Sequence, residues 1–140
     1  MVLIYSGGRT AESLNLHIQG VKEEAKKYPD ITLVEPILYN NEDKGRATSI
    51  AAQALEANPD AVGIVGVNSL APPAAGEAVR KLHLNGKVKV WGLALPSETK
   101  PYLKDDSVTG IYLWDPADLT YRTAQYVRAA LDGKMLPSTT

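Results

Sequence analysis

The chain has 140 residues, enough to bury a substantial core and too few for two ordinary domains side by side. Its 15 basic and 16 acidic residues leave a net charge of −1, which gives no electrostatic ground for a nucleic-acid partner. No run approaches the roughly 18 apolar residues of a membrane span, "MVLIYSGGRT" lacks the basic and apolar regions of a secretory signal, and the absence of cysteine excludes disulfides, thiolate metal sites and cysteine nucleophiles.

"VLIYS" is a short β-rich run that ends at Gly7 and Gly8. Beyond it Leu14, Ile18, Val21, Ala25 and Tyr28 recur at steps of four and three, which predicts a helix with one buried stripe, stopped by Pro29 and Asp30. "ITLVEPILY" reads as a second strand, and Pro36 assigns it to a sheet edge because proline cannot donate to a central ladder. Asn40 to Asp43 supply turn and capping side chains, and Ala47, Ile50, Ala51, Ala54 and Leu55 form a second apolar helical face ending at Asn58-Pro59.

The cycle then repeats. "AVGIVGV" is the uninterrupted apolar run of a strand covered on both faces, and it leads through Asn68-Ser69 into a helix carrying Ala75, Ala78, Val79 and Leu82, ended by Asn85-Gly86. "VKVWGLAL" is a fourth strand, "PSETKPYLKDD" a short helix interrupted at Pro101, and "SVTGIYLW" a fifth strand. Leu119, Val127, Ala130 and Leu131 mark the buried side of a last helix closed by Gly133, and "MLPSTT" is left as a tail. Strands alternating with helices imply parallel pairing, right-handed crossovers and helices on both faces: an α/β, flavodoxin-like three-layer sandwich with strand order 2-1-3-4-5. One lobe spanning residues 1–134, with a tail over 135–140, is the expected organisation.

Ligands of open α/β sheets bind at the carboxyl ends of the strands, which selects four loops. "SGGRTAES" fits an anion site in composition but matches neither the dinucleotide nor the P-loop spacing; it reads equally as a turn capped by Thr10, or as a presentation of Glu12 and Ser13 to a polar ligand. At "VNSLAPP", Asn68 and Ser69 suit a polyhydroxylated molecule, and they also suit a turn that must satisfy its own backbone. "LALPSE" follows the fourth strand. In "LWDPAD", Asp115 and Pro116 have the chemistry of an N-cap and first helical residue; Trp114 is either a flat platform for a sugar ring or a tryptophan buried against the last helix.

Catalytic chemistry finds no support. His17 and His83 lie far apart in helical patterns without metal-ligand spacing, "GVNSLA" is not a nucleophile elbow, and the first and third strands end in Tyr5-Ser6 and Val67-Asn68 where a response receiver needs acids. No catalytic residue, metal or cofactor is expected.

"VNSLAPPAAGEAV", "LALPSETKPYLKDDSVTGIYLWD" and "LWDPADL", taken in order with the Glu12-Ser13 region, resemble the type I periplasmic solute-binding proteins of ABC importers, in the rhamnose- and autoinducer-2-binding branch. The resemblance covers nearly the whole chain and matches the carboxyl-terminal lobe, with Met1 at the strand that opens it. It implies a periplasmic or extracytoplasmic location, a small sugar or sugar-like ligand at Glu12, Ser13, Asn68, Ser69, Trp114 and Asp115, and an amino-terminal lobe and an ABC permease as partners of the intact protein. It also places a hinge crossing at Trp114-Asp115-Pro116, with the helix after it lying on the other lobe.

Two departures stand out: Glu12-Ser13 replaces an acid-plus-amide pair, and Ala94-Leu95 replaces a polar side chain after the fourth strand. With no other lobe in this sequence, the last helix is expected to fold back on its own sheet as a monomer; exchange with a second copy is the other solution. A lone lobe should bind weakly or not at all. Two other readings stay open: a stand-alone flavodoxin-like protein that holds a nucleotide or flavin, and an assembly unit with a vestigial site.

Overall fold

A computed structural model describes residues 1–134, so the expected tail over 135–140 lies outside the described residues. The elements alternate without exception: β1 (Val2–Ser6), α1 (Glu12–Ala25), β2 (Leu33–Tyr39), α2 (Lys44–Ala57), β3 (Gly63–Gly66), α3 (Ala71–Lys81), β4 (Lys89–Leu93), α4 (Pro96–Lys104), β5 (Gly110–Tyr112) and α5 (Pro116–Leu131). All five strands are parallel and lie in the order β2-β1-β3-β4-β5, as the alternation predicts. β2 is an edge strand, and the β1–β2 register shifts between Leu3 and Tyr5, opposite the segment that contains Pro36.

Side-chain alternation sorts the strands onto two faces. Leu3, Tyr5, Ile64 and Val90 point into the larger core, which α2 and α3 close with Ala47, Ala51, Ala54, Ala71, Ala75 and Ala78. Small residues let these two helices approach each other and the sheet closely. A Cβ on Gly76 would stand 2.6 Å from Val108 Cγ2 and 3.1 Å from Tyr102, and one on Gly92 would strike the Gly66 carbonyl. The Tyr5 hydroxyl donates to the Ala47 carbonyl at 2.7 Å, joining β1 to α2.

The second face is only half covered. α1 lays Ile18 on Ile4 and Val67, flanked by half-buried Val21 and Leu33. The rest of the predicted α1 stripe is less buried than its spacing suggests: Leu14, Val21 and Ala25 are half-buried, and Tyr28 lies exposed past the helix end. Among the described residues no helix covers β4 and β5 on this face. The Trp91 ring rests on Gly110, where a Cβ would collide with it, and stays 52% exposed; Tyr112 is 45% exposed.

That bare area is where self-completion would have put the last helix, and the structure corrects the expectation. α5 has no buried residue, and Leu119, Val127 and Leu131 of its apolar stripe face solvent at 57%, 55% and 78% exposure. The cause is local. Leu113, Trp114 and Asp115 form no turn, and Asp115 is extended at φ −79° and ψ 107°, so the chain runs past the end of the sheet before the helix begins. Gly133, at φ +66°, ends this helix as expected, donating to the Ala130 carbonyl at 3.1 Å.

Other helix boundaries differ in detail. Thr10 does not cap α1: Ala11 holds the N-cap position and no side chain caps the helix. α3 stops at Lys81, before Asn85-Gly86, because His83 takes a left-handed conformation at φ 56°. α4 continues through Pro101 instead of breaking there, since a proline five residues into a nine-residue helix removes little of its hydrogen bonding.

Two expected outcomes follow from this core. Gly92→Ala should cost about 3 kcal/mol or more in chemical denaturation, since the obstructing atom is a backbone carbonyl of a central strand and cannot rotate away. Burial pushes the Tyr5 hydroxyl up to about 12, outweighing the lowering by its contact with Asn40. An acid with a raised folded-state pKa favours the fold below its unfolded value, so Tyr5 should contribute fully below pH ~10 and lose about 2 kcal/mol as pH rises to ~12. Denaturation at pH 9, 10.5 and 11.5 should show that loss, and Tyr5→Phe should remove it.

Candidate functional site

Parallel pairing delivers the carboxyl ends of all five strands, and the loops after them, to a single edge. Glu12 and Ser13 occupy the first turn of α1 there and are exposed. Asn68 follows β3 and is buried at 5% exposure, while Ser69 beside it is exposed. Trp114, 49% exposed, and Asp115 lie beyond β5. The six share the edge, but no hydrogen bond joins any two of them among the described residues.

Asp115 acts as the N-cap that its sequence context predicts: Oδ1 accepts from the Ala117 and Asp118 amides at 2.8 and 3.2 Å. After β4, Ala94 is buried and Leu95 is the extended N-cap residue ahead of Pro96, so this loop offers the edge backbone and apolar surface.

Asn68 has partners that the sequence reading assigned only to turns and caps. Its amide pairs with that of Asn40, itself 1% exposed: Asn40 Nδ2 donates to Asn68 Oδ1 at 3.3 Å, and Asn68 Nδ2 donates to Asn40 Oδ1 at 3.4 Å. Asn68 Nδ2 also donates to both carboxylate oxygens of Glu42, at 3.1 and 3.2 Å. Asn40 Oδ1 accepts the Glu42 backbone amide at 3.0 Å, holding together a loop in which Asn41 and Glu42 are both left-handed, at φ 51° and 57°. Two consecutive left-handed residues without a glycine are uncommon and turn the chain back towards β1.

β1 is shaped to receive that loop. The Ser6 and Gly7 carbonyls accept the Asn40 and Asn41 amides, each at 2.9 Å, and Gly7 lies so close to the Glu42 carboxylate that a Cβ would overlap it. Arg9, from the loop considered as an anion site, stacks over the Tyr39 ring at 4.4 Å and so closes the same corner from outside. Ser6 Oγ, one residue before Gly7, is buried and has no hydrogen-bond partner. The pattern "YNNED" carries the signal that locates this loop, since runs of Asn and Asp favour left-handed turns; nothing in it identifies Asn40 and Glu42 as partners of a residue 26 or more positions away.

The chemistry available at this edge is hydrogen bonding by amides, a carboxylate and hydroxyls, with an exposed indole beyond β5. Among the described residues no cluster of three His, Cys, Asp or Glu side chains could hold a metal. His17 is engaged within its own helix, its Nδ1 lying 2.7 Å from the Ser13 carbonyl.

Comparison with known proteins identifies the family and the fold. Residues 1–135 match the family described as "Periplasmic binding protein domain". No curated protein matches. Among solved structures, a glucose-galactose binding protein from Geobacillus stearothermophilus superposes with a TM-score of 0.92 at 22% identity, covering 100% of this chain and 50% of that one. A sugar ABC transporter structure from Actinomyces odontolyticus is 33% identical with a TM-score of 0.81, over 94% of this chain and 43% of its own. A solute-binding protein from Clostridium phytofermentas with bound L-rhamnose is 27% identical, with a TM-score of 0.82, over 94% and 42%. The chain thus spans about half the length of the structures it matches. With a family match along almost the whole sequence and the parallel five-stranded layer in place, the chain belongs to the periplasmic binding protein domain family and has the fold of a single α/β lobe.

Proposed function

We propose that this chain is the sugar-binding lobe of an ABC-importer solute receptor, and that it works by capture without catalysis. The observation that supports the reading is that Glu12, Ser13, Asn68, Ser69, Trp114 and Asp115 all follow the carboxyl ends of strands in one parallel sheet, in a fold shared with sugar-binding relatives. In this reading Asn68 and Ser69 hydrogen-bond ligand hydroxyls, Glu12 and Ser13 approach from the sheet's β1 side, and Trp114 offers its face to the ring. Asp115 serves chiefly by setting the start of α5.

The undocked α5 supports the same proposal. Its apolar stripe faces away from its own sheet, and the superposition with a protein twice as long extends over the entire chain. A second lobe is the natural cover for that stripe, and Leu113 to Asp115 would then be a crossing between lobes. Ligand held by both lobes would stabilise a closed state through contacts that the open state lacks, and a permease would read that closure. The location that goes with this role is periplasmic or extracytoplasmic.

A lobe alone encloses only part of a sugar, so affinity should fall in the millimolar range, about 4 kcal/mol of binding free energy. Titration of the 140-residue chain with galactose, glucose, rhamnose and arabinose, followed by amide NMR, should move Asn68, Ser69 and Trp114 resonances with millimolar midpoints. Asn68→Ala should weaken the response at least about fivefold, the scale of one lost hydrogen bond. Micromolar binding would refute the half-site argument, and shifts confined to other surfaces would refute the site.

A further inference from the structure

The loop after β2 places a carboxylate where the lobe reading puts ligand hydroxyls. Glu42 reaches across the end of β1, lies against Gly7, and accepts from Asn68 Nδ2 with both carboxylate oxygens. Its position is fixed by hydrogen bonds although the residue is exposed: Asn40 accepts the Glu42 amide, Asn40 is buried and paired with Asn68, and Asn41 and Glu42 are both left-handed. Among the described residues no ion pair neutralises it.

Two cations of the adjoining loops make other contacts, which leave their charge in place. Arg9 stacks on Tyr39, and Lys44 lies 3.6 Å from Glu98. Asp43, next in sequence, spends its carboxylate on the Gly45 and Arg46 amides as the cap of α2. Glu12 adds a second carboxylate to the same edge. A ligand beside Asn68 therefore meets the Glu42 carboxylate as an acceptor.

We propose that Glu42 is a specificity-determining residue that fixes the charge class of the ligand: a neutral or amine-bearing polyol whose hydroxyls donate to the carboxylate, with acidic sugars turned away. The inference rests on the reading of this lobe as a sugar site. It goes beyond that reading by naming a residue outside the six and a property that they do not determine. At low salt, a unit negative charge brought within a few ångströms of this surface carboxylate meets repulsion worth about tenfold or more in affinity.

The test compares matched sugars that differ only in charge: galactose, galactosamine and galacturonate, and glucose, glucosamine and glucuronate, titrated into the 140-residue chain by NMR at low salt. Both uronates should bind at least about tenfold more weakly than their neutral parents, with the amino sugars equal to or tighter than the parents. Raising salt should narrow the gap, and Glu42→Gln, which keeps the shape and one acceptor, should close it to about twofold. Uronates binding as well as their parents in the unmodified chain, or a gap that Glu42→Gln leaves unchanged, overturns the proposal while the sugar reading survives. If no neutral sugar among those titrated moves the edge resonances, the sugar reading falls and the charge rule falls with it.

Discussion

Parallel strand pairing is the constraint from which the other features of this lobe follow. Each crossover must leave the sheet at the carboxyl end of one strand and return to the amino end of the next, so every β-to-α loop accumulates on one edge. The close contact of Gly66 and Gly92 at the middle of the sheet holds β3 and β4 in that alignment. The polar groups after β1, β2 and β3 can then reach one another: the Asn40–Asn68 pair joins residues 28 positions apart in sequence. Without parallel register these side chains would be scattered between the two ends of the domain.

A parallel sheet also needs both faces covered, and here the two faces are treated differently. α2 and α3 seal one face with alanines, while the other carries α1 and leaves Trp91 and Tyr112 open. The exposed sheet area and the exposed α5 stripe belong to one chain but do not meet, since the turnless segment Leu113 to Asp115 sends the helix onward. A fold complete in its strands is thus incomplete in its layers.

Much of this was legible in the sequence because its causes are local. Pro36 marks the edge strand, the uninterrupted "AVGIVGV" run marks the centre, and Asp115-Pro116 marks a helix start, each through the conformational limits of one or two residues. What failed depends on tertiary placement. The spacing of Leu119, Val127 and Leu131 establishes that α5 has an apolar side, but no periodicity reveals which surface that side is meant for. Likewise "YNNED" announces a turn, whereas the partnership of Asn40 and Glu42 with Asn68 comes from strand order and from the missing Cβ at Gly7. Thr10 and Ala11 show the limit of propensity: a good capping residue stands one position too early to cap.

The chain has only two tryptophans, and they flank the surfaces left uncovered: Trp91 on the open side of β4 and Trp114 at the passage into α5. Each indole is about half hydrated, at 52% and 49% exposure, and therefore emits in an intermediate environment. Any body that settles on this side of the lobe must strip water from one or both rings. Shielding either ring from water would shift tryptophan emission to the blue, an intrinsic optical signal that needs no attached dye.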